Sequence, residues 1–221
     1  MIEQNVKNLF AGIPDKNPFG ENITVVAAVK LQTVESINRA IAAGIRNIGD
    51  NHVQEFRDKY DLICGNPRRH FIGHLQTNKI KYLLGRVDLY HSVDRMSLAE
   101  ELSNKSGKAQ ITSDILLQIN IGDQPTKGGF EYNDAENALK IIKSLPSLNV
   151  KGLMAMLPLS DDIQLLQKLA KDMRVLYDRL NDGNFKYLSM GMSGDWELCV
   201  EQGANTVRLG TSVFGARNYD R

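Results

Sequence analysis

The chain has 221 residues, of which 42% are hydrophobic, 24% charged and 7% aromatic, the composition of an ordinary globular protein. Lys and Arg number 27 against 26 Asp and Glu, a net charge of +1, so nothing electrostatic favours nucleic acid or an anionic membrane as partner. No apolar run reaches the roughly 18 residues of a membrane span, no basic-then-apolar leader opens the chain, and two cysteines, Cys64 and Cys199, make neither a disulfide framework nor a zinc site. The expectation is a cytoplasmic, disulfide-free protein forming one domain over residues 1–221.

Short β-branched runs alternate with longer amphipathic stretches. A leading helix is expected over 2–11, then a strand over 23–30. The helix after it should open on Thr33 as N-cap and stop at Gly44. Strand 46–50 precedes a helix through QEFRDKYDLI, strand 69–74 a helix through NKIKYLLG, and strand 89–93 a helix opened by the capping-box spacing Ser97 to Glu100. Strand 114–121 leads through a Gly-rich loop to the helix AENALKIIKSL. Strand 150–157 precedes the long helix LLQKLAKDMRVLYDRL, and strand 185–192 the helix DWELCVEQG. TVRLGTSVFG, from Thr206, closes the series as the eighth strand. Eight strand-then-helix units predict a (β/α)8 TIM barrel with an extra leading helix. Alternation alone also fits a doubly wound open sheet.

A barrel carries its site at the C-terminal ends of its strands. Those ends collect Lys30, Asp50 with Asn51, His74, Ser92 with Asp94, Asn120, Ser189 with Ser193, and Arg208 with Gly210 and Thr211. A lysine in a barrel mouth loses hydration, which favours the neutral amine needed for Schiff-base chemistry; a surface lysine closing the strand fits the same position. The segments Ser189–Gly194 and Arg208–Thr211 place small residues and hydroxyls after the last two strands, where barrels frequently bind phosphate. Tight βα turns would need the same glycines. Lysine at one end and phosphate at the other is the pair of contacts that pyridoxal phosphate requires.

Other features read more plainly. His70 and His74 would share one strand face without a third metal ligand, Asp94 would cap a helix, and both cysteines would fill core. Met154, Met156, Met190 and Met192 would pack the barrel mouth, and Lys79-Ile80-Lys81 would be a solvated helix face.

The segments AAVK (27–30), IGDN (48–51), HFIGHLQTNKIK (70–81), HSVD (91–94), LLQINIGDQPTKGGF (116–130), GLMAM (152–156) and LSMGMSGDWELCVEQGANTVRLGTSVFGAR (188–217) resemble, in order, the pyridoxal-phosphate homeostasis proteins, single-domain relatives of the alanine racemase N-terminal barrel. The resemblance implies pyridoxal 5'-phosphate held as a Schiff base (aldimine) on Lys30, and a role in intracellular cofactor homeostasis, as carrier or buffer, without established catalysis. It implies Arg208 near the pyridine nitrogen, and Gly210, Thr211, Ser189, Met192 and Ser193 around the cofactor. Asn51 matches the asparagine of the family's GEN motif, and Lys127 a second lysine that modulates binding. Three places depart from the family pattern: Val29, Gln32 and Thr33 flank Lys30, Asp50 replaces a glutamate, and Gly194 an asparagine.

An arginine at the ring nitrogen disfavours its protonation and makes the cofactor a weak electron sink. Racemisation would also need an acid–base group on each face, which the racemase relatives draw partly from an additional domain. The expected partners are therefore the cofactor, its amine acceptors and cofactor-requiring apo-enzymes, served by a monomer. The alternative is a racemase-type amino-acid enzyme.

Overall fold

In the computed structural model, which describes residues 1–122 and 128–216, parallel strands form a continuous sheet that closes on itself. The barrel staves are β1 (Thr24–Ala28), β2 (Asn47–Asp50), β3 (Arg68–Phe71), β4 (Leu89–Val93), β5 (Ser113–Asn120), β7 (Leu148–Ala155), β8 (Tyr187–Ser189) and β9 (Thr206–Leu209). Closure comes from β9 pairing with β1 and from β4 pairing with β5. A two-residue strand that periodicity had not suggested, β6 (Phe130–Glu131), pairs with the end of β5. The open-sheet alternative is thereby excluded, and the eight-stave parallel barrel stands.

Helices surround the staves: α1 (Ile2–Gly12), α2 (Val34–Ala42), α3 (Val53–Lys59), α4 (Met96–Lys108), α5 (Ala135–Ser144), α6 (Ile163–Leu180), α7 (Trp196–Glu201) and α8 (Thr211–Phe214). Thr33 caps α2 as expected, its hydroxyl accepting from Ser36 N–H at 3.1 Å. Asp162 does the same for α6, whose buried stripe of Leu166, Leu169, Ala170, Met173, Leu176, Tyr177 and Leu180 follows the helical period. Two apolar layers lie between staves and helices. A third, smaller cluster of Leu89, Leu116 and Met154 holds Met156 and Tyr187 against it. No helix of the described residues is long and apolar enough to cross a membrane.

Several local expectations are corrected. The helix expected after β3 is a 3-10 helix over Thr77–Tyr82. At three residues per turn, Ile80 and Leu83 both fall on the core side and are fully buried, so Lys79-Ile80-Lys81 is not a solvated face. The Ser97–Glu100 capping box does not form, because α4 starts at Met96 with Arg95 before it and no side-chain cap bond. Residues 206–215 are not one strand: Gly210 ends β9 and α8 follows.

Candidate functional site

All staves run the same way, so their C-terminal ends share one rim. One cavity in that rim has Ala28, Lys30 and Asn51 on one wall and Met192, Ser193 and Gly194 on another. Arg208, Gly210 and Thr211 complete it from the end of β9, with Ile72 and Met156 as apolar surface. Among the described residues no carboxylate lines it. Lys30 sits in the turn after β1, half-buried, with no hydrogen bond or ion pair among the described residues. The following residue, Leu31, is held at φ 62°, a conformation costly for a non-glycine residue, with its N–H donated to Glu55 of α3 at 2.9 Å. That carboxylate is occupied by Lys59 at 2.6 Å.

Arg208 is 5% exposed and pairs with no carboxylate among the described residues. Its guanidinium donates to Ser189 O at 2.8 Å, Ser189 Oγ at 2.7 Å and Ala155 O at 2.9 Å. Burial pulls its pKa down to about 10, which still leaves it charged at neutral pH. Ser189 in turn touches His91 Nδ1 at 3.0 Å, His91 Nε2 meets His70 Nδ1 at 2.9 Å, and His70 Nε2 meets Asn47 Oδ1 at 3.2 Å.

Donor counting fixes the direction of this chain. Asn47 gives its amide N–H to Val25 O at 3.4 Å, so its oxygen faces His70 and accepts. His70 then donates from Nε2 and accepts at Nδ1, His91 donates from Nε2 and accepts at Nδ1, and the Ser189 hydroxyl donates to His91. The remaining lone pairs of Ser189 receive Arg208. Every member is satisfied only when both histidines are neutral. Burial enforces that state, holding His70 down to about 3 and His91 well below the usual imidazole range, with His70 and Arg208 as further causes for His91.

Of the residues singled out from sequence, Lys30, Asn51, Met192, Ser193, Arg208, Gly210 and Thr211 share the cavity. Ser189 does not line it and instead lies fully buried against Arg208. Lys127 lies outside the described residues. Met156, expected at the barrel mouth, lines the cavity, whereas sequence reasoning passed over His91, Asn47 and Ile72; strand alternation was the available signal, since His91 is two residues from inward-facing Leu89.

His70 and His74 do not share a face, because β3 ends at Phe71 and the chain turns. His70 enters the buried chain, whereas exposed His74 contacts Asp94 Oδ2 through Nδ1 at 3.0 Å. Asp94 is thereby committed to His74 and Arg95 and caps no helix. Cys199 is buried, its thiol pushed up by burial, but Cys64 is exposed rather than core. Met190 packs outside the staves, in the larger apolar layer, not at the mouth. Asp50 is 2% exposed and does not reach the cavity; burial raises its carboxyl to about 6 and leaves Oδ2 without a partner.

Residues 5–218 match the family described as alanine racemase, N-terminal domain. The pyridoxal phosphate homeostasis protein of Aquifex aeolicus is 38% identical over 205 residues, covering 90% of each chain. The Escherichia coli K12 protein of that name is 34% identical over 208 residues, 91% of this chain and 88% of the other. The chain belongs to the pyridoxal phosphate homeostasis proteins, within the alanine racemase N-terminal domain family. Among solved structures, PipY of Synechococcus elongatus PCC7942 without PLP superposes with a TM-score of 0.89 at 30% identity, covering 97% of this chain and all (100%) of that one. PipY with PLP bound gives 0.85 at 30% identity and the same coverage. Alanine racemase of Clostridium difficile 630, at 14% identity and TM-score 0.76, shares the fold over 56% of its own chain.

Proposed function

We propose that this homeostasis-family chain binds pyridoxal 5'-phosphate in the barrel cavity, covalently on Lys30. It then serves inside the cell as a carrier or buffer of that cofactor, passing it to amine acceptors and cofactor-requiring apo-enzymes. The observation that carries the reading is a primary amine and a buried guanidinium in the walls of one cavity that no carboxylate of the described residues lines. A buried cation bonded only to neutral acceptors is costly unless an electron-rich partner joins it. Asn51 Oδ1, buried without a partner on the same wall, is a second unfilled polar contact. The donor set fits a phosphate-bearing aldehyde, and the names of the relatives, with PipY solved with PLP bound, support that ligand.

When bound, the cofactor supplies an aldehyde that condenses with the Lys30 amine, with loss of water. The chain's own groups do the rest. Lys30 would provide the nucleophile, Ser193, Thr211 and the Gly210 turn would hold the phosphate, and Met192 and Met156 would supply apolar surface for the ring. Arg208, held by Ser189, would be the group at the ring nitrogen, where a permanent cation would disfavour its protonation and weaken carbanion stabilisation. All of these residues come from one chain, so a monomer suffices.

The racemase-type alternative keeps the shared fold but lacks a second acid–base group. Besides Lys30, the described cavity walls carry no Tyr, His, Asp, Glu or Cys. Two assays separate the readings. Loaded protein mixed with a cofactor-free apo-enzyme should restore that enzyme's activity, while circular dichroism of L-alanine incubated with loaded protein should stay constant. Racemisation at ordinary enzyme rates with no transfer would reverse the assignment.

A further inference from the structure

Beside the cofactor cavity lies a second pocket, and Asn51 belongs to the walls of both. Its other walls carry Lys79, Arg57, His52 and His74, with Tyr82 and Gln76 as neutral donors, and none of its lining residues is acidic. Lys79 is half-buried and forms no ion pair among the described residues. Arg57 leans on Asp58 at 3.1 Å, and its guanidinium stands 5.7 Å from the Tyr82 ring centre. His74 gives its Nδ1 to Asp94, which leaves Nε2 uncommitted. An ammonium without an ion pair among the described residues, beside two imidazoles and a guanidinium, in a concavity whose described lining holds no carboxylate, is a setting for a small anion.

We propose that this pocket docks the acid group, carboxylate or phosphate, of the small primary amine that exchanges with the cofactor on Lys30. The proposal rests on the cofactor reading above and names the acceptor class for it. With the acid group on Lys79, the amine end lies toward the shared Asn51 wall and the Lys30 cavity. In the exchange, the carbon–nitrogen bond to Lys30 breaks as one to the incoming amine forms. Both protons of the neutral amine end on the lysine nitrogen, so no further reactant is required. An amine arriving as ammonium first gives one proton to solvent water.

The test uses cofactor-loaded protein, whose first cavity is filled, together with Lys79→Gln and Lys79→Arg variants. Acetate and inorganic phosphate are titrated separately while backbone amide NMR signals of residues 74–82 are followed. Release of cofactor absorbance is then timed with 3-aminopropanoate, 2-aminoethyl phosphate and propylamine. The expected result is saturable shifts with at least one anion, about tenfold weaker in Lys79→Gln and retained in Lys79→Arg. Release should be faster with the matching acid-bearing amine than with propylamine, a preference that Lys79→Gln abolishes while its initial cofactor band stays unchanged. Acetate binding assigns amino acids and phosphate binding assigns phosphate monoesters; either supports the subsite. Loaded parent protein blind to both anions, or Lys79→Gln binding as tightly as the parent, overturns the subsite alone. A parent that takes up no cofactor overturns the cofactor reading and the exchange role together.

Discussion

The buried histidines make stability depend on pH in a defined direction. An unfolded chain protonates His70 near 6.5, but the folded protein resists until about 3, so the unfolded state binds more protons across that window. Stability contributed by neutral His70 is present above pH 6.5 and is lost as pH falls, by about 1.4 kcal/mol per pH unit, with His91 adding in the same sense. Asp50 acts oppositely, since burial raises it from 3.8 to about 6 and its ionisation costs stability as pH rises through that range. Urea unfolding should therefore show a marked loss of stability between pH 7 and 4.5. Asp50→Asn should stabilise the protein by about 2 kcal/mol at pH 7 and hardly at all at pH 4. A flat profile would show that the histidines are not held neutral. At this scale Lys30 and Arg208 were legible because each ends a stave on the rim. His91 was not, because a histidine inside a strand looks the same whether it meets solvent or another imidazole.

Elements reveal constraints that propensity hides. Between the pairs Ile115–Val150 and Leu117–Leu153, one residue of β5 faces two of β7, and Gly152 at φ 147° absorbs the bulge. A Cβ there would stand 1.9 Å from Tyr187 O. Gly73, just past β3, does the equivalent work for the site: its carbonyl accepts the Ser92 hydroxyl, and an added Cβ would lie 2.0 Å from Asn51 O. Gly73→Ala should push Asn51 off the cavity wall. It should cost about 2 kcal/mol or more in urea unfolding and weaken cofactor affinity measured by equilibrium dialysis; unchanged values in both would mean that Asn51 needs no support from β3. Thr33 and the helix it caps were readable because side-chain capping is local. The 3-10 turn over Thr77–Tyr82 was not, because an apolar period of three over six residues mimics a short α-helix until Ile80 and Leu83 are seen to share the core.

Across the molecule, the two staves that lead into the cavity are tied at their N-terminal ends by a knot far along the chain. Arg174 of α6 joins Glu21 at 2.8 Å and Asp178 at 2.6 Å and donates to Gly203 O, while Asn17 reaches the same carbonyl at 3.0 Å. The segment before β1 is thereby tied to the turn before β9, the two staves that carry Lys30 and Arg208. Arg174→Met should cost about 3 kcal/mol in urea unfolding, and a change below 0.5 kcal/mol would contradict a tie of this kind. Alternation of strands and helices made the barrel readable from sequence, whereas a link of 153 positions between Glu21 and Arg174 leaves no local pattern. The central claim is that Lys30 holds pyridoxal 5'-phosphate covalently. The direct measurement is the visible absorption of protein incubated with the cofactor and desalted, before and after borohydride reduction, for the parent and Lys30→Ala. A retained band in the parent, with the reduced adduct mapped by mass spectrometry to Lys30 and no band in the variant, is the expected result. No band in the parent, or an equal band in Lys30→Ala, would contradict the account.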